Sequence, residues 1–438
     1  MDAIADTQEP RATSRFIPLT RQAVIADLCN DPGLGAGRDT FAKLALRLQK
    51  HRGHKYRLLA EEMRRCYLPF SPDRDTVRVL SFSDAEKDEM QHRLSDLTSH
   101  LLTRANYQKL DTEELNAILN REGPYSLNIE VDLREYDEML LFVRDVYTDN
   151  YSVRRPETFF LKRTYDIRVY RRLFVLLKLK SVKSRAAEIA ETKEISPSRA
   201  ERIVRRRRKQ LPKATSSDFI YMKMFKDMPE HDLQILYPLR VVQFRPFDKI
   251  KFLATAGGGT AFGIFSTTGK LLAATNPIAM VGALFGFIGL LARQVTVFFN
   301  QRTRYMMELA QKLFFHNLAN NRAALTLLLD RAEEEDVKED LIALYFSAGE
   351  IVPKAELASR KRKIDEIVLT RYGIAIDFEM NDAVNRLKDD GAVIEEGDAL
   401  RFLSLEEASA LYARLIDADD SDDAKHICDR TEVAELDA

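Results

Sequence analysis

The sequence predicts an α+β, predominantly helical fold, with an α+β N-terminal region, a two-helix transmembrane hairpin and a C-terminal winged-helix-like domain. Three observations carry that expectation. Apolar residues recur at three- and four-residue spacing early and late in the chain, as on one face of a helix. Between them lie short runs rich in Val, Leu, Phe and Tyr. Residues 252–292 contain a single charge, Lys270.

Residues 1–15 carry acids and no apolar run behind them, so they predict a disordered N-terminus rather than a secretory signal or transit peptide. Residues 16–251 follow as a cytoplasmic α+β region. Phe41, Leu44 and Leu48, then Leu58, Leu59 and Met63, mark helix, and Pro69 and Pro72 break it. Strand-like runs come at 126–131, 158–162, 167–180, 219–225 and 241–252. Asp227, Pro229 and Glu230 read as a helix start, with Asp as cap and Pro in the first turn.

Residues 252–299 divide at Thr275, Asn276 and Pro277 into two apolar stretches. Each is about 20 residues, enough as helix to cross a hydrocarbon core of about 30 Å. Eight of the 17 glycines lie between Gly257 and Gly289, and Gly259/Gly263 and Gly282/Gly286 are small-xxx-small pairs. In lipid such pairs let helices approach closely, within one chain or between two copies. In a helix packed in water each glycine would cost roughly 0.8–1 kcal/mol against alanine. Arg245, Lys249 and Lys251 precede the stretch, and Arg293, Arg302 and Arg304 end or follow it. The positive-inside rule then puts both termini in the cytoplasm, for a multi-pass protein of the inner membrane if bacterial. Lys251, Lys270 and Arg293 read as interfacial anchors.

Connecting helices are expected at 300–336. At 337–416 three helices (338–346, 353–372, 377–390) precede a β-hairpin turning at Glu396, Gly397 and Asp398, the outline of a winged helix. Residues 417–438, with nine acids against Lys425 and Arg430, read as a disordered acidic tail.

The overall net charge of -1 excludes a globally basic nucleic-acid binder. Cys29, Cys66 and Cys428 are too few and too scattered for a disulfide scaffold or a Cys-rich zinc site. Neutrality conceals one basic segment: residues 154–209 hold 19 Lys/Arg against six Asp/Glu and end in Arg205, Arg206, Arg207, Arg208 and Lys209. Within a basic helical insertion at 181–217, residues 184–190 and 196–204 have the outline of a helix-turn-helix. Such a segment suits either anionic lipid headgroups or nucleic-acid phosphates, and its nearness to the apolar stretch favours lipid. The third C-terminal helix carries Asp377, Glu379, Asp382, Asp389 and Asp390 against Arg386 and Lys388, which opposes DNA reading and favours a protein partner.

Catalytic signals are thin. Gly33, Gly35 and Gly37 follow no strand and lack a P-loop Lys, and Thr268, Gly269 and Lys270 lie in the apolar stretch. Asp73 and Asp75 suit caps and turns beside Pro72. His51 and His54 lack acidic or Cys companions nearby in sequence, His231 points away from Glu230, and His316 reads as a core residue. No cofactor, metal site or catalytic residue is assigned, and the balance leans away from an enzyme.

Several stretches together resemble the transmembrane-protein-143-like family, defined by domain of unknown function 3754. They are Arg15–Leu19, Tyr67–Thr76, Tyr221–Leu233 (with Phe225, Lys226, Asp227, Met228 and Pro229), Phe315–Arg322 and Glu334–Asp340. The resemblance implies an integral membrane protein without an established activity, and the basic segment 181–217 stands as an insertion relative to eukaryotic members. The resulting expectation is a membrane-anchored, cytoplasm-facing scaffold or interaction protein. The alternatives are a membrane-tethered nucleic-acid-binding regulator using residues 184–209, and an enzyme acting on a membrane-associated substrate.

Overall fold

The computed structural model describes residues 14–73, 81–120, 127–154, 162–209, 211–213, 215–244 and 313–434, with Gly289, Thr296, Met307 and Gln311. Along the chain run α1 (Arg21–Cys29), α2 (Arg38–Tyr67), α3 (Asp84–Arg104), β1 (Gln108–Lys109), α4 (Thr112–Asn120), β2 (Leu127–Val131), β3 (Tyr136–Arg154) and β4 (Lys162–Leu179). Then come α5 (Val182–Lys193), α6 (Pro197–Arg208), β5 (Ile220–Pro229), β6 (Arg240–Phe244), β7 (Asn317–Asn320) and α7 (Asn321–Ser347). The last elements are β8 (Ile351–Pro353), α8 (Leu357–Tyr372), α9 (Met380–Asp390), β9 (Val393–Glu396), β10 (Ala399–Phe402) and α10 (Leu405–Ala434).

β1-β3-β4-β5-β7 form an antiparallel sheet in that order. Its two faces follow from the two-residue period of a strand. Leu140 and Phe142 oppose Leu176 and Phe174, which oppose Met222 and Met224, and this ladder packs beneath α2, α3 and α7. The alternate residues Leu141, Val143, Leu173, Val175, Leu177 and Phe225 pack on the other face with Leu115 and Ile118 of α4. Burial on both sides explains why Leu173–Leu177 is apolar without a break. The sequence reading places no strand at β3, because Asp137, Glu138, Arg144 and Asp145 interrupt its apolar pattern. Nor is Asp227 a helix cap: it lies inside β5 at φ 47°, and the chain turns into a short 3₁₀ helix only at Glu230.

The membrane expectation is corrected. Among the described residues no helix is long and apolar enough to cross a membrane. Four helices have the length, α2, α3, α7 and α10, and each carries charges throughout, as in Arg38–Tyr67 with Lys43, Arg47, Lys50, Arg52, Lys55 and Arg57. Their apolar stripes are spent on the protein's own core. The two-span transmembrane hairpin and the multi-pass membrane localisation therefore find no support. The stretch to which they were assigned, 252–299, lies outside the described residues apart from Gly289 and Thr296, as do Gly259, Gly263, Gly282, Gly286, Lys251, Lys270 and Arg293.

α2 and α7 are spines of 30 and 27 residues, each about 40 Å long or more at 1.5 Å per residue. One half of each packs on the sheet, with Met63 and Cys66 of α2 against Leu325 and Leu328 of α7. The other halves enter a second core, where Phe41, Leu44 and Leu48 meet Val337, Leu341 and Leu344. That core also takes Ile17, Val24 and Leu28 from the N-terminal end and Val384, Leu387, Phe402 and Tyr412 from the C-terminal end. Residues from the first 50 and the last 100 positions thus share one interior. The C-terminal elements run α7-β8-α8-α9-β9-β10, with an antiparallel sheet ordered β8-β10-β9. α10 continues through the acidic stretch to Ala434.

Candidate anion-binding interface

The basic segment becomes two helices between β4 and β5. Ser181 caps α5 by accepting from the Ser184 N–H at 3.0 Å. Glu194 closes α5 in the left-handed region at φ 50°, and Ser196 and Pro197 open α6. Ala186, Ile189, Ala200 and Val204 are buried between the helices, with Ile195 of the turn packed against them. The pair therefore has its own small apolar centre, separate from the sheet's.

Three arginines of this pair converge on Glu135, a buried carboxylate just before β3. Arg185 donates from Nε to Glu135 at 3.0 Å and from a terminal nitrogen to Asp132 at 2.6 Å. Arg207 donates to Glu135 at 3.2 Å, and Arg208 donates to the Lys180 carbonyl at 2.6 Å with Glu135 at 3.9 Å. Burial opposes the Arg185 charge, yet its bonds to Glu135 and Glu188 outweigh that and hold the guanidinium above its ordinary value. Sequence reading missed Glu135 because its partners lie 50 and more residues away.

The outer face of α6 has a different composition. Arg199, Arg202, Arg206 and Lys209 follow at spacings of three, four and three, so they line one side of the helix, and all are exposed. Among the described residues none of the four pairs with a carboxylate, whereas Arg205 is held by Glu201 at 2.6 Å. Of the five expected basic contacts, Arg205, Arg207 and Arg208 are thus engaged internally, while Arg206 and Lys209 stay on the open stripe. Arg199 and Arg202 complete it. A stripe of cations on a helix with no aromatic residue can neutralise phosphates along a backbone, but it offers no ring on which an unpaired base could stack.

A second charged cluster sits where the two cores meet, and it contains the stretch Glu334–Asp340. Tyr56 donates to Asp336 at 2.8 Å, and Arg104 also pairs with Asp336. Arg386 reaches Asp336 at 3.2 Å, Glu339 at 2.7 Å and Asp340 at 2.9 Å. Arg52 joins Asp340 at 2.8 Å to Asp390 at 2.6 Å, and Lys338 pairs with Glu335 while donating to the Ile17 carbonyl. Burial pushes Glu339 well above the usual carboxylate range despite Arg386. For Asp390 the balance reverses: burial would raise it, but His51, Arg52 and Lys55 hold it far below that range. This network ties α2, α7 and α9 together and has no opening for a substrate-sized molecule.

The remaining sequence candidates disperse. His51 lies in that network, sharing a bond with Asp419 at 2.7 Å, and His54 lies 3.8 Å from the same carboxylate. Asp73 accepts from Asn321 at 3.1 Å, and Asp75 lies outside the described residues. His316, expected in the core, is half-exposed and bonds the Lys226 carbonyl at 2.8 Å. Among the described residues no group of His, Cys, Asp or Glu is arranged to hold a metal ion.

Comparison with known families touches the stretch that holds the interface. Residues 170–323 match the family described as protein of unknown function, DUF3754. The match is 154 of 438 residues. It begins inside β4, takes in α5, α6 and β5 to β7, and stops in the first turn of α7, short of the C-terminal elements. No solved structure matches the chain.

Proposed function

We propose that the chain binds duplex DNA through the outer face of α6, without base specificity. The observation that carries the reading is the stripe Arg199, Arg202, Arg206 and Lys209, exposed and unpaired on a helix whose inner side is pinned by Glu135. The major groove of B-DNA admits an α-helix, whereas the deep, narrow major groove of A-form RNA does not. The absence of aromatics on α6 weighs against single strands. Four phosphate contacts give a slope of log K against log salt of about −3.6, by the rule of about −0.9 per contact on B-DNA. Anisotropy titrations of the full chain with a labelled duplex at several salt concentrations test this. Replacing all four cations by Gln should abolish the salt-dependent binding, and replacing Arg202 alone should flatten the slope by about 0.9. Binding confined to anionic vesicles, with none to duplex, would give the surface to lipid headgroups instead.

A second reading, that the C-terminal elements form a winged-helix scaffold for a protein partner, is favoured by α9. Its arginine, Arg386, is spent on Asp336, Glu339 and Asp340, while Asp382 and Asp389 remain toward solvent. Phosphates would be repelled there, which leaves a protein surface. We propose too that the kinship seen at 170–323 extends to the transmembrane-protein-143-like group through Arg15–Leu19 and Glu334–Asp340. Support for it comes from Ile17, whose N–H donates to Glu335 at 2.6 Å, so that the two distant stretches are one contact. Exchange of both stretches for those of a group member should leave the melting midpoint intact, and a collapse of folding would refute the kinship.

A further inference from the structure

Behind α6, between its Arg207 and the start of β3, lies a cavity of about 670 Å³. Asn116, Arg134, Glu135, Tyr136, Lys180 and Arg207 are among the residues lining it. That volume falls within the usual range for small-ligand sites, roughly 300–1,000 Å³. Its charges do not balance. The lining acids Asp132, Glu135 and Asp137, with Glu188, form a closed set of ion pairs with Lys178, Lys180, Arg185, Arg207 and Arg208. Arg134 also lines the cavity and has no carboxylate partner among the described residues. Six cations therefore stand against four carboxylates.

The surplus is costly where it sits. Arg208 is largely buried, and its Nε–H has no acceptor among the described residues. Burial pulls its guanidinium below the ordinary arginine value, the direction expected of a cation short of counter-charge. Arg207 is half-exposed and shares Glu135 and Asp132 with the closer Arg185, so it can turn toward the cavity without leaving either acid unpaired.

We infer that this cavity binds a small phosphate monoester or free phosphate, gripped by Arg134, Lys180 and Arg207, with the amide of Asn116 completing its hydrogen bonds. A phosphate group of about two negative charges matches the surplus of two cations, and a guanidinium can hold it through two parallel N–H···O bonds. The site is independent of what the outer face of α6 meets.

Calorimetric titration of the full chain with inorganic phosphate, and separately with pyrophosphate, at fixed ionic strength tests the inference. One equivalent should bind, and Arg134→Gln should weaken it at least tenfold. Arg134 is exposed and unpaired, so this change removes no contact that folding needs. The Lys180→Gln variant, checked for an unchanged circular dichroism spectrum, should behave alike. The variant carrying Gln at Arg199, Arg202, Arg206 and Lys209 should bind phosphate as the natural chain does. Absence of binding, binding unchanged by Arg134→Gln, or binding lost only in the stripe variant would each overturn the assignment.

Discussion

Arg386 meets three carboxylates at once, Asp336, Glu339 and Asp340, each of them buried. Removing one partner from a buried ion pair leaves uncompensated charge and costs about 3–5 kcal/mol. Arg386→Met should therefore destabilise the fold by about that amount, read from the urea midpoint, and a loss below about 1 kcal/mol would show that the cluster relaxes into solvent. Glu339 carries a pH signature as well. Burial raises its carboxyl above 4.5 in the folded chain, so the fold binds that proton more tightly than the unfolded chain does. Its contribution is most favourable below 4.5 and declines as pH climbs from 4.5 toward the raised folded value. Glu339→Gln removes that decline, so the variant should gain stability relative to the natural chain as pH rises from 4.5 to 7. Melting curves across that range give the difference, and parallel curves would contradict it.

Among the elements, α5 and α6 depend on a single acid from outside themselves. With Glu135→Gln the three arginines lose their shared counter-charge, while the apolar contact of Ala186, Ile189, Ala200 and Val204 survives. Hydrogen exchange should then quicken across residues 182–208 and stay slow in β3, β4 and β5. Quickening across the whole sheet would mean that Glu135 supports the fold rather than the pair. The end of α9 is a simpler case. Gly391 closes it at φ 83°, where a side chain costs about 1–2 kcal/mol, so Gly391→Ala should lower the urea midpoint by that much.

At the scale of the whole molecule, the C-terminal elements cannot finish their core alone. Val337, Leu341 and Leu344 of α7 pack against Phe41, Leu44 and Leu48 of α2. A fragment of residues 321–438 would present that apolar face to water. It should melt without a cooperative transition and bind a hydrophobic dye, and addition of residues 14–73 should restore cooperativity. A fragment that melts cooperatively unaided would show that the N-terminal helices are dispensable to it.

Local patterns told most where one residue's neighbours in sequence are also its neighbours in space. The helical periodicity around Phe41, Leu44 and Leu48, the turn at Gly397 and the caps at Ser181 and Ser196 are of this kind, as is the clustering of Arg205, Arg206, Arg207, Arg208 and Lys209. Those features rest on backbone geometry within one or two turns, and the amino-acid order alone determines them. Which of those cations face outward was a tertiary matter. Arg207 and Arg208 are drawn inward by Glu135, while Arg199 and Arg202, unremarked in the sequence, join Arg206 and Lys209 on the open stripe. Tertiary packing likewise decided that β3 is a strand despite its charges, and that the acids Glu335–Asp340 sit at a buried joint rather than in water. Burial of a charge is settled by partners such as Arg52 and Arg386, more than 40 residues away in sequence, and Coulomb attraction acts through space without regard to chain order.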